Sequence, residues 1–136
     1  MLKAPTQKPS YVGPHEGKEL ELMISGAKPL SMFVEPIPTD YDFFDEQEFD
    51  RLVRSNRLIK EVRVEIVSTG IGDPQRIRRV LYAQVSEAWR IPSMLFVQDI
   101  YSSLGAGIKP DLERVIGRLL GYATSDIDSY LDAQKR

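Results

Sequence analysis

Residues 58–85, LIKEVRVEIVSTGIGDPQRIRRVLYAQV, limit the fold more than any other part of the chain. Leu58, Lys60, Val62, Val64 and Ile66 alternate with Ile59, Glu61, Arg63, Glu65 and Val67. One set is mostly apolar and the other mostly charged, the period-two signature of a half-buried strand. A second run follows, in which Ile77, Leu81, Ala83 and Val85 share a face with Arg79. Gly70, Gly72, Asp73 and Pro74 separate the runs and supply the backbone freedom and fixed φ that a turn requires. The stretch reads as a β-hairpin. Matching apolar to apolar sets Ile66 opposite Ile77, Val62 opposite Leu81, Glu65 opposite Arg78 and Glu61 opposite Tyr82, because a one-residue slip exchanges the faces.

Around this hairpin the remaining periodicities predict helices and one further strand. Pro14, Glu16 and Gly26 bracket a helix over 14–25, whose inward stripe is Leu20, Met23 and Ile24. Residues 18–24 also alternate with period two, but Glu, Leu, Met and Lys favour the helix. Residues 30–35, entered from Pro29 and closed by Pro36, fit an edge strand. Asp45 and Glu48 form a capping pair for a helix carrying Phe49, Leu52 and Val53, which Asn56 ends.

Beyond the hairpin, Pro92 opens a helix that is apolar on most sides through Leu104. Pro110 opens another, with Leu112, Val115, Ile116, Leu119 and Leu120 inward. Gly117 within it suggests close approach of a neighbouring backbone. Ser125 and Asp128 cap a last helix. The predicted fold is α+β: an antiparallel sheet of about three strands built on the 58–85 hairpin, one face covered by helices, with a helical C-terminal third. Residues 1–12 read as an extended or disordered arm and 13–136 as one domain.

Composition narrows the functional classes. No segment approaches the ~20 consecutive apolar residues of a membrane span, and residues 1–14 lack the pattern of a secretory signal. With no cysteine in the chain, a cytoplasmic location is expected and thiol chemistry is excluded. Net charge is −2, but residues 15–56 carry ten acidic and four basic side chains, whereas 57–90 carry four acidic and seven basic. The overall balance lacks the basic excess of a dedicated nucleic-acid binder.

Candidate sites are few. His15, Glu16 and Glu19 are the candidate catalytic residues, since imidazole and carboxylate on one helical face suit acid–base work. Arg63, Arg76, Arg78, Tyr82, Trp89 and Arg90 are the candidate binding residues, since arginine with aromatics suits anions, single strands or protein interfaces. Arg79, on the apolar face, needs a buried acidic partner, and Glu35 or Asp99 is expected. Residues 69–73 lack the lysine and following helix of a phosphate loop. Asp126, Asp128 and Asp132 lack the glycine and glutamate of a calcium loop. The acidic cluster over residues 40–50 reads as capping and helix-dipole charge. No metal site and no cofactor is expected.

The leading expectation is a small soluble interaction or regulatory protein without catalysis. It would bind a protein partner or its own copy through the arginine-and-aromatic sheet face or the apolar 92–104 helix. One alternative is a hydrolase or metal-assisted enzyme using His15, Glu16 and Glu19. A second is nucleic-acid or nucleotide binding through the arginines.

Overall fold

The computed structural model describes residues 15, 17–68, 72–105 and 107–135. The Pro14 start of the first helix, Glu16, the arm over 1–12 and the tip of the hairpin lie outside the described residues. In order, the elements are α1 (Glu19–Ser25), β1 (Leu30–Pro36), α2 (Glu46–Arg54), β2 (Leu58–Val67), β3 (Gln75–Gln84), α3 (Arg90–Ser103), α4 (Pro110–Leu119) and α5 (Thr124–Gln134). The class is α+β, with one three-stranded antiparallel sheet in the order β1-β3-β2 and a helical C-terminal third.

Local chemistry explains most boundaries. Residues 19–25 are helical, and Gly26 ends α1 in the left-handed conformation at φ 81°. The Asp45 side chain accepts from the Glu48 amide at 3.4 Å at the start of α2, and Asn56, at φ 62°, turns the chain just past its end. Ser125 lies inside α5; Ala123 is the N-cap and makes no side-chain cap. Helix α3 begins at Arg90, two residues before Pro92, so the proline falls within its first turn, where its missing N–H costs no intrahelical bond.

The hairpin forms, but its register differs from the expected one by a single residue. Val62 pairs with Val80, Glu61 with Leu81, Glu65 with Ile77 and Ile66 with Arg76. The expectation rested on a sheet covered on one face. Helices instead cover both faces, because β3 lies in the middle and is buried on each side. Val80 and Tyr82 meet Met23 of α1 and Phe49 of α2. Leu81 and Ala83 meet Ile91, Met94 and Leu95 of α3 and Leu119 of α4. β3 carries apolar groups on both faces, and the observed register sets Val62 on Val80 while Val64 and Ile66 lie opposite Arg78 and Arg76, so matching apolar to apolar along the hairpin favours the wrong pairing.

The consequence falls on β2. Its even-numbered side chains lie on the α1/α2 face, where Leu58 joins the core beside Phe49 of α2 and Lys60 pairs with Glu46 and Asp50 of the same helix, and the residues beyond them are left uncovered. Leu58 is buried, whereas Val62, Val64 and Ile66 are 41%, 52% and 72% exposed. The sequence places these side chains in the core; they are on the surface.

Glycine at 117 permits a tight helix–helix contact. A Cβ there would lie 2.7 Å from Cγ1 and 2.8 Å from Cδ1 of Ile127 on α5, so the close neighbour is a side chain and not a backbone. Val115, expected inward, is exposed. Gly117→Ala should gain about 1 kcal/mol of helix propensity and lose roughly 1–3 kcal/mol to overpacking. The expected outcome in urea denaturation is a net loss, and a smaller one when Gly117→Ala is made in an Ile127→Val background, which removes Cδ1 and leaves Cγ1. A gain in stability from Gly117→Ala alone would show that Ile127 yields freely.

Candidate interaction surface

Successive residues of a strand point to opposite faces, so β3 separates its arginines. Arg78 lies on the α1/α2 face and Arg79 on the α3/α4 face, and each organises a network of its own. Arg78 donates to Glu35, its cross-strand neighbour on β1, at 2.8 Å and to Glu46 of α2 through both terminal nitrogens. Lys60 of β2 bridges Glu46 and Asp50 at 2.8 Å each, and the Tyr82 hydroxyl donates to Asp50 at 2.8 Å. Tyr82 itself is fully buried, stacked on Phe49 with ring centroids 4.7 Å apart. It belongs to the core and not to an outward binding face.

On the opposite face Arg79 is 7% exposed. Its acidic partner is Glu65, at 2.8 and 3.3 Å; Glu35 and Asp99, the expected partners, are engaged by Arg78 and Arg63 instead. Arg63 donates to Glu65 at 2.7 Å and to Asp99 of α3 at 2.8 Å. Arg76 is exposed at the start of β3. Arg90 pairs with Glu87 at 2.7 Å, caps the carbonyls of Arg118 and Leu119, and lies 4.7 Å from the Trp89 ring. The six nominated binding residues are therefore divided among two sheet faces and the start of α3, and do not form one surface.

These networks hold Glu46 and Glu65 ionised. The Arg78 hydrogen bond, with Lys60 assisting against the cost of burial, lowers the Glu46 pKa to about 2. Burial raises Glu65, and the Arg79 and Arg63 hydrogen bonds more than offset it, leaving a net depression. A carboxylate held this far below neutrality is a poor proton carrier at pH 7. The arrangement is suited to joining helices to the sheet.

His15 and Glu19 are brought near a residue the sequence did not single out. Lys28 is 2% exposed. Its ammonium lies 2.8 Å from His15 Nδ1, donates to the Leu120 carbonyl at 2.8 Å and stands 5.0 Å from the centroid of the Tyr122 ring. Burial lowers the Lys28 pKa to about 8, against the opposing field of Glu19. Burial and the Lys28 charge lower that of His15. At neutral pH the histidine is thus the uncharged acceptor, its proton on Nε2 and its Nδ1 lone pair occupied. Among the described residues, no group of three or more histidine, aspartate or glutamate side chains is placed to hold a metal ion.

The remaining feature is the outer edge of β2. The Ile37 amide bonds to the Arg76 carbonyl and the Gln84 amide to the Pro29 carbonyl. In the β1–β3 register these are directly opposed residues, so the even-numbered residues of β3 bond β1 and the odd-numbered ones face β2. Their partners on β2 are Ile59, Glu61, Arg63, Glu65 and Val67. The N–H and C=O groups of Val62, Val64 and Ile66 consequently point outward. Among the described residues no strand pairs with that edge. The exposed row and the outward backbone coincide. Trp89, at the N-cap of α3, and Phe96, seven residues on within the helix, are also more than half exposed.

Comparison of the chain with protein-family models, with curated proteins and with solved structures finds no match. No helix among the described residues is long and apolar enough to cross a membrane.

Two titrations follow from the charged groups. Glu46 has a depressed pKa, so its ion pairs contribute fully above the ordinary carboxylate range and the contribution is lost as pH falls through about 2. Glu46→Gln should cost about 1–2 kcal/mol at pH 7; in urea unfolding at successive pH values, its difference from the wild type should shrink steadily below pH 4. Lys28 is a base with a depressed pKa, and between about 8 and its ordinary 10.5 the unfolded chain binds the extra proton. Stability should therefore rise between pH 8 and 10 in the wild type, and Lys28→Met should flatten that rise.

Proposed function

We propose that the protein acts by contact, as an interaction or regulatory protein without catalysis, and that the outer edge of β2 is its contact surface. One observation carries this reading: Val62, Val64 and Ile66 expose apolar side chains along the same edge on which their backbone N–H and C=O groups point outward. Strand edges of this length are usually blunted by proline, a bulge, charged side chains or a covering segment, and of the charges on β2 Lys60, Arg63 and Glu65 are engaged in ion pairs within the chain. β2 spans ten residues and contains no proline. An added strand would satisfy its backbone groups while covering three aliphatic side chains, as in recognition by β-augmentation. In this reading the arginines secure the helices to the sheet, and the compartment is the cytoplasm, in keeping with the absence of cysteine.

The test is a double substitution, Val64→Lys with Ile66→Lys, which places charge on the edge and leaves the core untouched. Exposed positions tolerate such changes within about 0.5 kcal/mol, so circular dichroism and the urea midpoint should barely move. In an extract of the producing cells, the wild type should elute above its monomer mass and the variant at it. Elution of the wild type as a monomer would overturn the proposal.

A further inference from the structure

We infer that the strand completing the β2 edge is β2 of a second copy of this chain, paired antiparallel about a two-fold axis at Val64, which rests on the reading of that edge as the contact surface. The backbone sets the first condition. Directly opposed residues of an antiparallel pair are of the same hydrogen-bonding type, so only registers that set even-numbered residues of β2 against even-numbered ones use the outward groups. With the axis at Val64, Val62 faces Ile66 of the second copy and Val64 faces Val64. Each such pair exchanges two hydrogen bonds, about six in all.

Side chains then select among the allowed registers. With the axis at Val64, Val62, Val64 and Ile66 of each copy, the exposed aliphatic residues of the α1/α2 face, meet only one another. On the opposite face Arg63 meets Glu65 of the second copy and Glu65 meets its Arg63. These two residues already bond within one chain at 2.7 Å, so the dimer would close a ring of four alternating charges. Shifting the axis to residue 63 would oppose Arg63 to Arg63 and Glu61 to Glu65. Shifting it to residue 65 would oppose Glu65 to Glu65. Like charges directly across a strand pair are destabilising. An axis at Val62 keeps opposite charges together but sets Lys60, held by Glu46 and Asp50 beneath α2, against Val64. The axis at Val64 sets Glu61 against Val67 at the margin of the pairing, but of these registers it alone keeps Val62, Val64 and Ile66 together and Arg63 opposite Glu65. An isologous contact of this kind closes at two copies.

The experiment uses the purified full-length chain, which has no native cysteine. Sedimentation velocity from about 1 to 200 µM should show a monomer–dimer equilibrium, and Val64→Lys should weaken it at least about tenfold with unchanged circular dichroism. Single variants Val62→Cys, Val64→Cys and Ile66→Cys are then oxidised. At the axis the Cα atoms would lie about 5.5 Å apart, within disulfide reach, so Val64→Cys alone should cross-link with itself. Residue 62 lies about 13 Å from its own copy, so Val62→Cys and Ile66→Cys should cross-link only when mixed. Should Val64→Lys lose its fold, Val64→Thr and the cross-linking pattern decide the matter. A purified wild type that stays monomeric, a dimer indifferent to position 64, or self-linking at 62 or 66 in place of 64 would each overturn the inference. A protein monomeric when pure but larger in extract would defeat self-pairing and leave the contact reading standing; a monomer in both would defeat both.

Discussion

The structure depends on β3 being buried on both faces. An ordinary hairpin keeps one side for water, but here Val80 and Tyr82 project into one helical layer while Leu81 and Ala83 project into another. Burial on two sides obliges every polar group on the strand to find a partner, since an unpaired charge in such a place costs several kcal/mol. Arg78 and Arg79 meet that demand in opposite directions. Each draws a carboxylate from a neighbouring strand, Glu35 in one case and Glu65 in the other, and the surrounding network reaches a helix, through Glu46 or through Arg63 and Asp99. Two adjacent side chains thereby join three strands to α2 and α3.

How far this was legible in the sequence varies with the range of the interaction. Local signals were sufficient for the edge position of β1, the Asp45 cap, the turn at Asn56 and the glycine stop of α1, because each depends on the chemistry of a few consecutive residues. The register of the hairpin was not legible. It depends on whether one face or two will be covered, and that is decided by helices far away in the chain. The apolar side chains on both faces of β3, Val80 and Tyr82 alternating with Leu81 and Ala83, were the available sign of a central strand. The pairing rule for a half-buried hairpin passed over it.

The same distinction separates the sites. A buried acidic partner for Arg79 followed from the cost of burying its charge, but Glu65 could be named only once Arg63 and Asp99 were placed. Lys28 had no sequence signal at all, being a lysine between Ala27 and Pro29 in an ordinary loop. Its burial arises because the Leu120 carbonyl at the end of α4 approaches that loop. Gly121, at φ 87° and with Pro29 against the place a Cβ would occupy, permits the approach. His15 was noticed as the single histidine, yet its role as the acceptor of the buried lysine rests on that distant contact.

β1 has proline at its end, Pro36, and is entered from Pro29. Residues of even number on β1 turn their backbone groups away from β3, so the missing amide of Pro36 falls on the outer rim and interrupts pairing at that end. The opposite rim has no such obstruction. A head-to-tail stack would need both rims in every subunit, and Pro36 weakens it by withholding an amide from the β1 rim. The proline that ends the first strand therefore opposes growth into fibres at the β1 rim.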